Sequence, residues 1–291
     1  MAVPPSPHQL IERLAQESRW RPGRVGEPFP EHPLQPDRWR IEDGRFALRT
    51  GTGYAFHYAA GEGVTVEQDR SADPAELELW LNGSVYAAVA CLNGLYPIHA
   101  SAVAHDGRVH AFTGPSGAGK STLVAGLGRR GYPLFCDDTL LLDLSGPDTI
   151  MALPGHKRLK LTDHGLALTA SPAQSQVGAG TGKSYAMPPA GICREPLPLA
   201  SLTFLEQGSP SSVAPVTGAE RFSRLEDDHY TQQLFLGARR PALAELFALR
   251  ARIAGAVTMA RLVRPFTAEG FAKSLDLAET LITHYHKEQA P

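Results

Sequence analysis

Eight residues constrain this chain more than any other segment. Gly114-Pro115-Ser116-Gly117-Ala118-Gly119-Lys120-Ser121 reads G-x-x-x-x-G-K-[ST], the pattern of a phosphate-binding loop. An apolar, β-favouring run, Val109-His110-Ala111-Phe112-Thr113, precedes it, and a helix-like run, Thr122-Leu123-Val124-Ala125-Gly126-Leu127, follows. That strand–loop–helix setting is what separates a working loop from a chance match. The glycines let successive backbone N–H groups curl around an anion, and the helix N-terminus adds positive dipole. In such a loop Lys120 reaches the outer phosphates, the Ser121 hydroxyl ligates Mg²⁺, and residues 114–122, Thr122 included, form the nucleotide cradle. The pattern predicts a nucleoside triphosphate site.

The rest of the composition narrows the class. At 291 residues the chain is long enough for one large domain or two smaller ones, each with a buried core. A formal net charge of −2 gives no reason to expect a nucleic-acid or anionic-membrane surface. Cys91, Cys136 and Cys193 lie far apart without a C-x-x-C pair, which argues against a disulfide framework or a zinc site and fits a reducing cytoplasm. The N-terminal residues lack the pattern of a secretory signal, and no stretch approaches the ~20 apolar residues of a membrane span. A cytoplasmic protein is the expectation.

Residues 1–40 carry eight prolines and one amphipathic helical pattern near residues 9–16; the remainder reads as an extended arm. Residues 45–68 alternate β-like runs with glycine pairs. Asp73-Pro74 is a cap and first-turn pair for a helix over residues 74–93, which Asn82-Gly83 divides in two. We therefore expect a small β/α module over 1–95 and a catalytic core over 96–291. Within the core, residues 98–104 and 109–113 flank Asp106-Gly107, a hairpin signal. A buried strand over 132–136 ends in Asp137-Asp138, and an apolar strand follows over 139–144. Residues 169–184, rich in Ala, Gly, Ser and Gln without periodicity, read as a mobile loop. A buried strand over 200–205 and helices near 229–236, 242–252 and 268–286 complete the chain. The fold class is α/β, with a mixed sheet around the loop, a small β-rich N-terminal module and C-terminal helices.

Asp137-Asp138 begins seventeen residues after Lys120, at the carboxyl end of a strand, where the ligand crevice of an open α/β sheet lies. Two adjacent carboxylates there can divide two jobs, one ligating Mg²⁺ and the other accepting a proton from an attacking hydroxyl. His99 lies on the strand before the loop strand. Register decides whether it faces the nucleotide site or points away. In Lys157-Arg158-Leu159-Lys160, alternation along a strand aims Arg158 and Lys160 to one face and Lys157 to the other. Arg158 offers a planar fork for a carboxylate or phosphate, so Arg158 and Lys160 are candidate substrate-binding residues, against the reading of a merely solvated edge.

Taken together, Pro97-Ile98-His99-Ala100-Ser101, the loop at residues 114–121 and Asp137-Asp138 resemble the catalytic core of the HPr kinase/phosphorylase family, whose fold is similar to phosphoenolpyruvate carboxykinase. The resemblance spans roughly residues 95–205. It implies that Asp137 is the general base, that Asp138 is a Mg²⁺ ligand with Ser121, and that His99 sits against Asp137. In that family a basic residue at a similar place assists transfer, which implies that Lys183 stabilises charge developing on the transferring phosphoryl group. Residues 1–95 have no counterpart of the family's N-terminal domain. Leu153-Pro154-Gly155-His156-Lys157-Arg158-Leu159-Lys160-Leu161 stands where enzymes acting on HPr carry a glycine-rich signature. The whole pattern looks most like the stand-alone kinases that phosphorylate a C-terminal serine of lasso-peptide precursors.

The resemblance thus implies an ATP- and Mg²⁺-dependent serine kinase acting on a peptide or small protein, in a family whose members form homo-oligomers. Two other classes compete on sequence grounds. A small-molecule kinase of the shikimate or gluconate type also has an aspartate at a similar distance after its loop, although that loop opens the chain. A non-catalytic nucleotide switch is the third, but the chain lacks an N-K-x-D base-recognition motif and an L-S-G-G-Q signature.

Overall fold

The structure, a computed structural model, describes residues 5–70, 72–146, 149–155, 158–178, 180–226 and 229–288. It is a mixed α/β protein whose contacts divide into two compact units. The first comprises Met1–Pro97, Val177–Thr181 and Asp228–Ala242; the second comprises Ile98–Gln176, Gly182–Asp227 and Leu243–Pro291. Among the described residues no helix is long and apolar enough to cross a membrane.

The first unit opens with the helix Pro7–Glu17. Ser6 caps it: the Ser6 hydroxyl accepts from the Gln9 amide, and the Gln9 side chain accepts from the Ser6 amide. A five-stranded sheet follows in the order Trp20–Pro22, Gly63–Gln68, Tyr54–Ala59, Arg45–Arg49, Arg38–Glu42. Trp20–Pro22 and the start of Arg38–Glu42 lie in the stretch expected as an extended arm. Trp20–Pro22 pairs in parallel with Gly63–Gln68, and the other pairings are antiparallel. Phe46, Leu48, Phe56, Tyr58, Val64 and Val66 are buried at alternate positions of these strands. The helix begun at Asp73-Pro74 bends at Gly83, whose φ of −105° and ψ of −107° are not helical, and resumes as Tyr86–Leu92. Tyr230–Arg239 belongs to this unit, and Phe235 packs edge-on against Tyr96.

In the second unit the organising strand is Leu197–Gln207. Its eleven residues let it take three partners along its length. Met151–Leu153 pairs with its start, Arg108–Thr113 runs parallel on one side, and Thr258–Arg264 runs parallel on the other. Arg108–Thr113 turns back onto Ala100–His105 through Asp106 and Gly107, both at positive φ (44° and 68°), as a tight hairpin requires. Leu134–Cys136 completes that side of the sheet. The helix Lys120–Arg129 packs Leu123, Val124 and Leu127 into a core shared with Leu159, Leu161, Phe271 and Ile282.

The expected mobile loop over 169–184 is corrected. A small antiparallel sheet orders Leu159–Thr162, Lys183–Ala186 and Ala173–Gln176 in that sequence. Ala173–Gln176 is exposed at all four positions, so it buries no alternating face and leaves no periodic signal. Pairing to a neighbour, rather than burial, holds that segment.

Candidate functional site

The glycine-rich loop follows Arg108–Thr113 directly. Gly114, Gly117 and Gly119 have φ of 145°, 83° and 81°, backbone states that side-chain-bearing residues rarely adopt. Space adds a second constraint, because a Cβ on Gly114 would lie 2.8 Å from the Leu205 carbonyl oxygen. Gly119 caps the helix Lys120–Arg129, whose N-terminus turns toward the loop. Lys120 is buried and folds back over the loop, donating from Nζ to the carbonyls of Gly114 (2.8 Å) and Pro115 (3.1 Å). Pro115 and Ser116 form the exposed crest, closed by a hydrogen bond from the Ala118 amide to the Pro115 carbonyl.

Asp137 and Asp138 stand where the strand Leu134–Cys136 ends. Asp137 is 1 % exposed. Its Oδ1 accepts from the Ser101 hydroxyl at 2.6 Å and the Ser121 hydroxyl at 2.8 Å, and its Oδ2 accepts from the Lys160 amide at 3.0 Å. Asp138 takes a left-handed backbone, φ 75°, which swings its side chain away from that of its neighbour. Lys160 Nζ lies 2.8 Å from Asp138 Oδ2. His99 Nδ1 sits 2.9 Å from the Asp138 backbone oxygen and 3.7 Å from its Oδ1. The first contact calls for a proton on Nδ1. Thr113 steadies this arrangement by donating from Oγ1 to the His99 carbonyl at 2.9 Å.

The two aspartates therefore exchange the partners expected of them. His99 lies against Asp138 rather than Asp137, and Ser121 bonds Asp137 rather than Asp138. The left-handed turn at Asp138 is the physical reason: it sends the two neighbouring carboxylates to different surroundings, one inward to hydroxyls and one outward to cations.

Lys160 reaches this centre because Leu159 and Leu161, on either side of it, are buried in the core, which aims its own side chain the other way. Burial alone would pull its ammonium pKa down. The charges of Asp138 and Asp137 outweigh that and hold it above the ordinary lysine value. Arg158 takes a different place: its guanidinium stacks 3.6 Å from the Tyr185 ring centroid and donates to Ser175 Oγ at 3.0 Å. Lys183 is exposed and pairs with Thr162 in the ladder, two positions along from the Lys160–Tyr185 pair. Lys157 lies outside the described residues.

Two participants were not singled out by sequence. Ser101 sits within a quoted run, yet only the pairing of Ala100–His105 with Leu134–Cys136 shows which carboxylate its hydroxyl meets. Arg264, at the end of Thr258–Arg264, donates from Nη2 to the Ala118 carbonyl at 2.7 Å. A Cβ on Gly119 would run into that guanidinium. Beside it a cavity of about 130 Å³ opens, lined by Gly117, Gly119, Thr122, His164, Arg264 and Phe266.

The arrangement brings together an anion cradle, a buried lysine, a hydroxyl–carboxylate pair of hard oxygens and a second carboxylate flanked by an imidazole and an ammonium. Those are the parts that phosphoryl transfer uses. No family model and no curated protein matches the chain. Among solved structures it is similar to the Hpr(Ser) kinase/phosphatase from Coxiella burnetii, at 13 % identity and a TM-score of 0.32, over 67 % of this chain and 99 % of that one.

Proposed function

We propose that this protein is a Mg²⁺-dependent kinase that moves the γ-phosphoryl group of ATP to a serine hydroxyl of a peptide or small protein. The observation that carries the reading is the 2.8 Å hydrogen bond from Ser121, the last residue of the loop, to the buried carboxylate of Asp137. A chain that brings its loop hydroxyl onto a carboxylate has made a site of hard oxygens, the donors Mg²⁺ prefers. Ser121 and Asp137 would hold the ion, which when bound neutralises charge on the phosphate oxygens. This reverses the roles that the family resemblance suggested for the two aspartates.

Asp138 is then the proton acceptor. It is the more accessible carboxylate, with a side chain 26 % exposed, so an incoming hydroxyl can meet it. His99 Nδ1 grips the backbone oxygen of Asp138 and fixes where the carboxylate points. Lys120 leaves the Gly114 and Pro115 carbonyls for the outer phosphates when nucleotide arrives. The cavity beside Gly119 opens next to the loop and takes part of the nucleotide. Catalysis here is positioning plus neutralisation of charge, with little covalent chemistry for the protein.

The acceptor is the finer part of the proposal. A peptide ending in serine, as in lasso-peptide precursors, is the form the sequence resemblance favours. Transfer of labelled γ-phosphate from Mg-ATP to a mixed panel tests it: peptides with internal serine, peptides ending in serine, HPr protein and small hydroxylated metabolites. Label on a serine peptide supports the kinase, and preference for a free C-terminus supports the narrower acceptor. Label on a metabolite alone would replace it with a small-molecule kinase. ATP bound with no label on any acceptor would favour a nucleotide switch.

A further inference from the structure

Arg264 presents a problem in charge balance. Arg264 is only 4 % exposed, and among the described residues it pairs with no carboxylate. Among those residues its hydrogen bond is neutral, from Nη2 to the Ala118 carbonyl of the loop, and its buried Nε has no partner. The Phe266 ring, 5.3 Å from the guanidinium carbon, offers a weak π contact and no countercharge. A guanidinium held this way costs free energy that a bound anion would return. Burial without a compensating charge also holds its pKa below the ordinary arginine value.

The position is as specific as the charge. Thr258–Arg264 runs parallel to Leu197–Gln207, which runs parallel to Arg108–Thr113, so the ends of these three strands lie at one edge of the sheet. The glycine-rich loop leaves from the last of them and Arg264 ends the first. Arg264 thereby lines the cavity next to Gly117, Gly119 and Thr122. Gly119 is left without a Cβ where that guanidinium lies.

We propose that Arg264 is a second anion-binding element of the site: it braces the loop through the Ala118 carbonyl and, from its unpartnered face, binds the phosphate chain of the nucleotide. This rests on the reading of the loop as a nucleotide site and adds a ligand-binding residue to it. The brace orients the Ala118 peptide, and the free donors meet phosphate oxygen, for which a planar arginine fork is suited. The shared ligand chemistry is a polyphosphate, whether carried by a nucleoside or free.

Equilibrium binding of three probes to the full chain and to Arg264→Gln tests this: Mg-ATP, Mg-tripolyphosphate and adenosine. A charge-assisted contact of this kind corresponds to a loss of roughly 10- to 100-fold in affinity. The expected result is that loss for Mg-ATP, with adenosine binding changed less than about threefold and Arg264→Lys falling between. A loss for Mg-tripolyphosphate as well would locate the contact on the phosphate chain, whatever its source. Equal losses for Mg-ATP and adenosine would overturn the proposal, since they mark a collapsed cavity rather than a missing cation. Wild-type Mg-ATP affinity in Arg264→Gln would overturn it too. If Arg264→Gln unfolds, Arg264→Lys with a wild-type thermal midpoint carries the same comparison. The kinase reading fails separately, when wild-type protein binds Mg-ATP yet labels no acceptor.

Discussion

The two larger sheets of this molecule, one in each unit, have different buried groups around them. In the first unit, four strands from Arg38 to Gln68 follow each other by short turns, and each pairs with its neighbour in sequence. What they bury is apolar: Phe46, Leu48, Phe56, Tyr58, Val64. Among the described residues Glu76 is the buried charge of that unit, and the Thr52 hydroxyl and the Trp80 indole N–H satisfy it. The second unit is built from strands far apart in sequence, and it buries Lys120, Asp137, Asp143, Arg250 and Arg264. Buried charge is expensive unless paired, so its concentration in the second unit makes that unit the place to look for chemistry rather than packing alone. The contrast predicts that damage to the first sheet lowers stability, whereas damage to the second lowers activity.

The largest expected effect lies on the second sheet. Asp138→Asn keeps the shape of the residue and removes the proposed proton acceptor, so transfer should fall ~10²- to 10⁴-fold while Mg-ATP affinity stays within about threefold. Transfer at the wild-type rate would return the role of base to Asp137. On the first sheet, Phe56→Ala empties a fully buried ring position and should cost about 3–5 kcal/mol in denaturant unfolding. The specific activity of the protein that remains folded should match wild type. A loss of activity beyond the loss of folded protein would break the division drawn between the sheets.

A smaller effect separates the two aspartates. On the proposed reading Asp137→Asn removes a Mg²⁺ ligand without touching Asp138, so the Mg²⁺ concentration needed for half-maximal transfer should rise roughly 10- to 100-fold. If the same shift appeared in Asp138→Asn and not in Asp137→Asn, the ion would belong to the outer carboxylate. Titrating Mg²⁺ against both variants decides between these arrangements.

How far the site could be read from sequence follows from the same contrast. The loop is a contiguous pattern, and the strand before it, its left-handed glycine backbone and the helix after it were all legible. So were the Asp106-Gly107 hairpin and the Asp73 cap, because local backbone chemistry dictates both. The two aspartates were visible, but the division of their partners was not: it depends on the left-handed backbone of Asp138 and on a strand arriving from Ala100–His105. Lys160 was noticed for its charge, and its aim into the pair is set by Leu159 and Leu161 finding the core. Arg264 left no signal at all. A lone arginine ending a strand looks like a surface residue until a parallel neighbour 60 or so positions earlier in sequence carries it to the loop.

The smallest prediction asks whether the contrast extends beyond the charged groups. Among the described residues each unit holds a tyrosine whose pKa burial pushes up to about 12: Tyr58 in the first, hydrogen-bonded to Glu17 and Asn93, and Tyr132 in the second, donating to Glu279. A folded pKa above the unfolded value, ordinarily about 10, favours the neutral phenol in the fold. Its stabilising effect is therefore complete below about pH 10 and is lost as pH rises toward 12. Denaturant unfolding at about pH 9 and about pH 11 should show that loss, and Tyr58→Phe and Tyr132→Phe should each reduce it by a comparable amount. Equal reductions would mean that uncharged polar burial is distributed evenly and that only buried charge is concentrated in the second unit. A reduction confined to Tyr132→Phe would mean instead that the second unit governs every titration of stability, and the separation into a packing sheet and a chemical sheet would need to be redrawn around cooperative unfolding.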